Sequence, residues 1–389
     1  MIKKEGILIG FGEFFLKSPR VQKIFKKKLL FQIVFFFKKA KIDFSFIPKR
    51  ERFFFEIKKE DQKKAIKILK KIFGISFFSP AILFEGKENE NLANITSFLK
   101  NNFRKIIKKN ETFALRLKKE KGLSFSRQEI IQRIAQNIKR KVDLEKPKKT
   151  IFIEIRKKYA FLYFKKIKGA GGLPLGSEGK VLSLISGGID SPVASFLMLK
   201  KGCENVWLHF HSFPFVSNSS ILKIKELAKI FLNFQPSLVV YFCPLGHLQL
   251  KLRQKIPSKY LVIFYRKFML KIAKEIAKKE NCLAIITGDS LGQVSSQTLN
   301  NLKLIEEKIN FPIFRPLIEK DKEEIVKIAK KIKTFSISIQ PQEDCCSLFI
   351  PKHSSAKANL VMIRKLEKKI NFKKEIKEIL KKTKKESFP

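Results

Sequence analysis

Acidic side chains are scarce: 35 Asp and Glu face 83 Lys and Arg in 389 residues, a net charge of +48. This excludes an acidic or electroneutral protein and gives the chain a field that draws polyanions, nucleic acid first among them. Cysteine is sparse too, five residues with none before Cys203. An odd count spread over this length makes no disulfide framework and fits a reducing cytoplasm. There is no C-x-x-C pair, and His209, His211, His247 and His353 include no H-x-x-x-H spacing, so a structural zinc site lacks its signature. Long apolar runs are also missing. Phe35-Phe36-Phe37 and Leu261-Val262-Ile263-Phe264 are soon broken by Lys or Arg, far short of the ~20 residues of a spanning helix. Met1-Ile2-Lys3-Lys4 runs straight into an alternating pattern without an apolar leader, so secretion is not expected.

What is present suffices for folded domains: 44% of the residues are hydrophobic, and the length predicts two or three domains. The abundant Lys, Ile, Phe and Asn share A- and T-rich codons, which accounts for part of the charge. Its distribution says more. Residues 1–180 hold 46 basic and 17 acidic side chains, net +29, against 37 and 18, net +19, in 181–389. Patterning predicts a strand over 6–16, a helix over 19–39, strands over 42–47 and 52–57 and a helix over 62–73, a β-α-β-β-α-β order typical of a ferredoxin-like unit. A second α+β module follows: helix 92–108, strand 112–117, helix 126–141 and a hairpin of 150–156 with 159–166. We set domain limits at 1–60, 61–167 and 180–389. Between the last two, residues 168–179 hold five glycines and a proline, the best linker in the chain. Beyond it, apolar strands at 181–185, 203–210, 239–242 and 283–287 alternate with helices, predicting a doubly wound parallel sheet whose ligands bind at the carboxyl ends of its strands.

The first of those strands ends in Ser186-Gly187-Gly188-Ile189-Asp190-Ser191, and Pro192 opens the next helix. Two glycines let the backbone approach an anion, and the N–H groups of the helix start point at it. A bare helix cap by Asp190 is the alternative reading. The loop lacks the Lys of G-x-x-x-x-G-K-[ST], so cleavage elsewhere than at the terminal phosphate is implied. Near the far end, Gln340-Pro-Gln-Glu-Asp-Cys345-Cys346-Ser347 reads as a polar loop, and a thiolate there in a basic field is a nucleophile for sulfur transfer. Cys345 is the candidate. Cys203, Cys243 and Cys282 sit in or beside apolar strands and read as core thiols.

The loop resembles the pyrophosphatase loop of PP-loop ATP-dependent enzymes, which cleave ATP between the α and β phosphates. More of the chain resembles the ThiI family of tRNA sulfurtransferases, the 4-thiouridine synthases. The likeness is carried by Gly169-Ala-Gly-Gly-Leu-Pro-Leu-Gly176, Leu182-Ser-Leu-Ile-Ser-Gly-Gly-Ile-Asp-Ser-Pro-Val193, His209-Phe-His-Ser212, Thr287-Gly-Asp-Ser-Leu-Gly-Gln-Val-Ser-Ser-Gln-Thr-Leu299 and Glu343-Asp-Cys345. In the front half Gly12-Glu13 through Lys17 and Phe73-Gly-Ile-Ser-Phe-Phe-Ser-Pro80 add to it.

The resemblance implies an N-terminal ferredoxin-like domain and a THUMP domain that grip tRNA. It also implies a PP-loop domain that uses ATP and Mg²⁺ to adenylate the C4 oxygen of the uridine at position eight. Cys345, charged as a persulfide by a cysteine desulfurase, then delivers sulfur. Asp190 is the metal-side carboxylate. Nucleotide contacts carry over to Leu184, Ile185, Ser186, Gly187, Gly188, Ser191, His209, Phe210, Arg266, Gly288 and Gln297. For Arg266 a solvated helix face is the other reading, and for His209 and His211 a metal pair. No membrane partner is expected, and a homodimer is left open. Two departures stand out. The chain ends after a Lys-rich tail, read as helical, without the rhodanese domain of some members, to which a thiazole-synthesis role attaches. Phe264 stands where many relatives have Cys. Cys346, Cys243 or an external reductant could resolve the persulfide; adjacent Cys345 and Cys346 would close a strained ring. Two other functions fit parts of the pattern: an amidating PP-loop enzyme acting on a small molecule, and a non-catalytic RNA-binding protein.

Overall fold

A continuously buried run from Gly6 to Phe11, with Ile7-Leu8-Ile9 at its centre, ends β1 (Ile2–Phe11), and Pro19, with its φ preset for the first helical turn, opens α1 (Pro19–Lys39). Phe25, Leu29, Ile33, Phe36 and Phe37 form the buried stripe of α1, a period that only a helix brings to one side. There follow β2 (Ser45–Lys49), β3 (Arg52–Glu56), α2 (Lys59–Leu69) and β4 (Ile75–Glu85). Then come α3 (Glu88–Ile106), β5 (Phe113–Lys119), α4 (Arg127–Ala135), β6 (Lys149–Ile155), β7 (Tyr159–Tyr163) and β8 (Ile167–Lys168). The computed structural model describes residues 2–49, 51–341, 355 and 357–389 and divides into two units, Met1–Leu173 and Pro174–Pro389.

In the first unit the strands form one sheet in the order β2-β3-β1-β4-β7-β6-β5, with β8 beside β4. Only β5 and β6 pair in parallel. The β2-β3-β1-β4 half, with α1 and α2, is the ferredoxin-like arrangement, and β4 carries the sheet on into the second module. Two clusters pack helices against one sheet face, Ile7, Ile9, Phe53 and Phe55 with α1 and α2, and Ile151, Ile153 and Ile155 with α3 and α4.

The second unit holds β9 (Lys180–Leu184), α5 (Asp190–Lys200), β10 (Glu204–His211), α6 (Ser219–Phe231), β11 (Leu238–Pro244), α7 (Gly246–Lys255), α8 (Leu261–Lys279), β12 (Ala284–Ile286), α9 (Leu299–Glu306) and β13 (Ile313–Phe314). It ends with α10 (Lys322–Ile332), α11 (Phe335–Ser338), α12 (Leu360–Glu367), α13 (Phe372–Lys382) and β14 (Lys384–Phe388). The sheet order is β13-β12-β9-β10-β11-β14, parallel except for β14. The chain leaves β9 toward β10 on one side and returns to β12 on the other, so the switch point lies beyond the carboxyl end of β9, where doubly wound sheets bind ligands. No described helix is long and apolar enough to cross a membrane.

Several predicted limits shift for local reasons. The first strand stops at Phe11, because the Gly12 N–H turns away to the Gly74 carbonyl (3.0 Å) and Glu13–Leu16 form a 3₁₀ turn. The helix predicted over 126–141 ends at Ala135, since Lys141 and Asp143 are hydrogen-bonded to the backbone of Phe113 at the start of β5. The tail read as helical finishes as β14, antiparallel to β11, which covers that edge of the sheet. Phe264 is fully buried in the core beside α8's other apolar residues, so no chemistry attaches to that position.

Candidate functional site

The turn after β9 is built around two hydroxyls. The Ser186 N–H donates to Ser191 Oγ (3.0 Å), the two serine hydroxyls lie 3.2 Å apart, and the Gly188 N–H donates to Ser186 Oγ (3.3 Å). Gly187 has φ +84°, a left-handed conformation that L side chains resist. α5 begins at Asp190 with no side-chain cap, so Asp190 is not the helix cap; its Oδ1 accepts from Lys322 Nζ at 2.7 Å, at the start of α10. Gly288, after β12, comes so close to this turn that a Cβ would sit 2.9 Å from the Ser191 backbone nitrogen. The loops beyond β9 and β12 thus form one wall.

Beyond that wall lies a cavity of about 370 Å³. Leu184, Ile185, Ser186, Ser191, His209, Phe210, Arg266, Gly288 and Gln297 all line it, as does Asp190. Gly187 and Gly188 belong to the turn rather than to the lining. Met269 and Leu270 of α8 add apolar surface. Ten of the sequence-selected residues therefore converge, from segments about a hundred residues apart.

Arg266 is not a solvated helix residue. It donates to both carboxylate oxygens of Asp289 (2.7 and 2.8 Å) and to the Ser296 carbonyl (2.9 Å). Asp289 also accepts from Thr287 Oγ1 (2.8 Å), Gln297 Nε2 (3.2 Å) and Arg315 Nε (3.2 Å). Burial works to raise the Asp289 carboxyl, but Arg266, Thr287 and Arg315 outweigh it and hold it below its ordinary value. With its amide nitrogen committed to Asp289, Gln297 turns its Oε1 into the interior, where that oxygen is buried without a hydrogen-bond partner. An unsatisfied buried acceptor lining a cavity suits a ligand N–H.

His209 has both ring nitrogens occupied, Nδ1 with the Ile185 carbonyl (2.8 Å) and Nε2 with Ser220 Oγ (3.2 Å). Nδ1 therefore carries the proton, and the ring pins the end of β9 where the phosphate turn starts. Burial pushes the His209 and His211 imidazoles down to about 4, so both are neutral at physiological pH. Their rings stack with centroids 6.4 Å apart; among the described residues no group of three or more His, Cys, Asp or Glu is placed to hold a metal. Cys203, Cys243 and Cys282 are buried free thiols. Cys243 is completely buried, with no surface from which to attack a disulfide, and burial pushes its thiol up to about 12. Cys345 and Cys346 lie outside the described residues.

Asp289, Arg315 and Lys322 escaped the sequence reading. Asp289 stands inside the quoted Thr287-Gly-Asp segment, where a signal was available. Arg315 and Lys322 follow β13, and only the folded sheet shows that they reach Asp289 and Asp190, which line the cavity.

In the first unit, the sheet face opposite the helices carries another constellation. Phe152 and Tyr163 stack at 5.0 Å with an 11° interplanar angle, and Lys166 Nζ lies over the Phe152 and Phe77 rings at 4.5 and 5.1 Å. Arg52, Arg116, Lys118 and Lys166 border a depression there. Glu154, almost fully buried, gathers Arg52 (3.0 Å), the Tyr163 hydroxyl (3.0 Å) and Arg156 (3.5 Å).

A parallel-sheet unit with a phosphate turn at its switch point, following a ferredoxin-like unit extended by a second α+β module, defines a PP-loop nucleotide enzyme with an appended front module. Three family models match: thiamine biosynthesis protein (ThiI) over residues 176–372, ThiI ferredoxin-like domain over 6–79 and THUMP domain over 90–165. The chain is 37% identical over 380 residues to a probable tRNA sulfurtransferase of Caldanaerobacter subterraneus subsp. tengcongensis, covering 95% of this chain and 97% of that protein. To its counterpart in Methanocaldococcus jannaschii it is 36% identical over 379 residues, covering 95% and 98%. A crystal structure of a 4-thiouridine synthetase–RNA complex with bound ATP superimposes with a TM-score of 0.86 at 30% identity, covering 99% of this chain and 100% of that one. PH1313 from Pyrococcus horikoshii shares the fold, with a TM-score of 0.63 at 21% identity over 85% of this chain and 99% of that one. The chain belongs to the ThiI family of tRNA sulfurtransferases.

Proposed function

We propose that the protein replaces the C4 oxygen of a tRNA uridine with sulfur at the expense of ATP, giving 4-thiouridine at position eight. The observation that carries this reading is the convergence of the Ser186–Ser191 turn, the Gly288 approach and the unpartnered Gln297 oxygen on one cavity. These residues fit ATP as co-substrate. The turn and the α5 start would hold the phosphates, Leu184, Met269 and Leu270 the base, and Gln297 Oε1 would accept from an exocyclic amino group. Asp190 is the one carboxylate at the turn, and Mg²⁺ commonly binds through one or two carboxylates plus substrate phosphates; bound there it would neutralise phosphate charge.

The uridine C4 oxygen attacks the α-phosphorus and pyrophosphate leaves, which makes that oxygen part of a departing AMP. The terminal sulfur of a Cys345 persulfide, supplied by a cysteine desulfurase, then attacks C4 and AMP is expelled. A further thiol must attack the Cys345 sulfur to free the thiouridine; Cys346 or an external reductant are the remaining candidates. Lys322 is tied to Asp190 and keeps a positive charge beside the turn. Arg266 and Arg315, committed to Asp289, keep Gln297 oriented rather than meeting phosphate themselves. For RNA, Arg116, Lys118 and Lys166 around the depression on the first unit's sheet supply phosphate partners, with the partly exposed Phe152 beside them.

The test is to incubate the protein with ATP, Mg²⁺, unmodified tRNA and a persulfide source and to follow the near-ultraviolet absorbance of thiouridine. Absorbance should appear with wild type and vanish with Cys345→Ala while pyrophosphate release persists. Pyrophosphate without thiouridine in wild type would overturn the reading in favour of a small-molecule substrate. Equal loss of both steps in Cys345→Ala would remove that cysteine from its role.

A further inference from the structure

The second unit carries a lysine-lined groove separate from the cavity at the switch point. α8 and α13 border a groove of about 760 Å³ lined by Lys271, Lys274, Lys308, Lys373, Lys377 and Lys381, with Glu275 its one acidic residue. Its floor is apolar, from Phe372, Ile376 and Leu380. Phe372 stacks on Phe268 at 4.4 Å, and Lys271 Nζ lies 5.1 Å from the Phe372 ring centre. α13 separates its charges by face. Glu375 and Glu378 turn to Lys251 (2.9 and 3.5 Å), whereas none of the six groove lysines has an ion-pair partner among the described residues. Burial, and then the neighbouring Lys267, Lys308 and Lys274 against an opposing Glu367, leave Lys271 below its ordinary value. Gathering six like charges around a single lining carboxylate, Glu275, raises the energy of the empty groove, and a bound polyanion relieves it.

The spacing selects the class of anion. Lys373, Lys377 and Lys381 recur every fourth residue, an array about 12 Å long at the rise of an α-helix. That exceeds a single phosphate and suits successive phosphates of one strand. Lysines, as hydrated point charges without a planar fork, suit backbone contact rather than base reading. We infer that the α8–α13 groove is an RNA-backbone site, a second point of attachment for the nucleic acid on the unit that carries the ATP cavity. The inference rests on RNA being the substrate, as proposed above.

The experiment compares two full-length variants of equal charge: K373Q/K377Q/K381Q in the groove and K369Q/K374Q/K382Q outside its lining. Binding of an unmodified tRNA transcript is measured across a salt series, with ATP-binding affinity as the check on folding. The groove variant should lose roughly 10- to 100-fold in tRNA affinity near 0.15 M salt, and its log K against log salt slope should flatten by about two to three. The control should change by less than about threefold. Equal losses in both would reduce the groove to net charge and overturn the inference, as would unchanged binding in the groove variant. Lysine acetylation footprinting of wild type should show Lys373, Lys377 and Lys381 protected by tRNA; protection by a poly-glutamate peptide but not by tRNA would assign the groove to an acidic protein and overturn it. Failure of wild type to bind tRNA at all would instead sink the proposed function.

Discussion

The two sheets of this protein put function in different places. The mainly antiparallel sheet of the first unit buries one face under four helices and sets Arg52, Arg116, Lys118 and Lys166 around a depression on the other, which also holds a buried cluster of Leu8, Phe54, Leu83 and Phe161. The parallel sheet of the second unit carries helices from its crossovers and concentrates its polar groups at the carboxyl ends of β9, β10 and β12. Each also ties up a buried carboxylate with two arginines: Glu154 with Arg52 and Arg156, and Asp289 with Arg266 and Arg315. The first knot lies under a surface and the second beside a cavity. A parallel sheet turns strand order into a point-like site, whereas an antiparallel one offers an area.

The largest effect that sharpens this contrast comes from Asp289→Ala. It leaves Arg266 and Arg315 facing one another with their common partner gone and frees Gln297 to rotate. Breaking a buried pair in this way costs roughly 3–5 kcal/mol. The unfolding midpoint reported by Trp207, the sole tryptophan and fully buried in the second unit, should fall by several degrees, and ATP affinity should fall with it. Amide-exchange protection of β1 and β4 should not change. A fall in both units would mean that the knots are not independent.

Acid should separate the units next. The first unit has no histidine, while the second holds His209 and His211, each pushed down by burial to about 4. Unfolded imidazoles titrate near 6.5, so between pH 6.5 and 4 the unfolded chain takes up protons that the folded unit refuses. Stability of the second unit is full above pH 6.5 and declines as pH falls toward 4. In the first unit, the Lys118 hydrogen bond to Glu51 and the Lys49 hydrogen bond to Glu85 lower those carboxyls below 4.5. Their contribution is present above 4.5 and is lost as pH falls through the lowered values. Between pH 7 and 5 the Trp207 midpoint should therefore drop while β1 and β4 keep their protection; a parallel decline would contradict the assignment.

The smallest effect tests the area-like site. Lys166→Gln on the first unit's sheet should weaken tRNA binding by about two- to fivefold and reduce the salt slope by about one, leaving ATP binding unchanged, as measured by titration at several salt concentrations. A larger loss would make that face a focused site after all.

The same contrast explains what the sequence made legible. Ser186 to Ser191 was readable because a parallel sheet places its chemistry in short loop segments with fixed spacing, whereas Gly288 and Gln297 came only from the family resemblance. Asp289 sat inside one of those segments, yet nothing local marks it as the centre of a knot with Arg266, 23 residues away, and Arg315, 26 residues away. Lys322 reaches Asp190 across 132 residues, a pairing set by where α10 docks. On the first sheet, Phe152 and Tyr163 belong to no motif; they meet because of the register of β6 on β7. The tail became β14 because the edge of β11 was open to pairing, a tertiary cause that outweighs the helical look of a Lys-rich segment.

The central claim is that the turn after β9 serves cleavage of ATP between its α and β phosphates for the benefit of a tRNA uridine. Its most direct measurement follows ATP labelled separately at the α and γ positions, with unmodified tRNA and a persulfide source. The account predicts one AMP and one pyrophosphate for each thiouridine formed, and neither product above background with Asp190→Asn. Release of ADP and inorganic phosphate in step with thiouridine would contradict it.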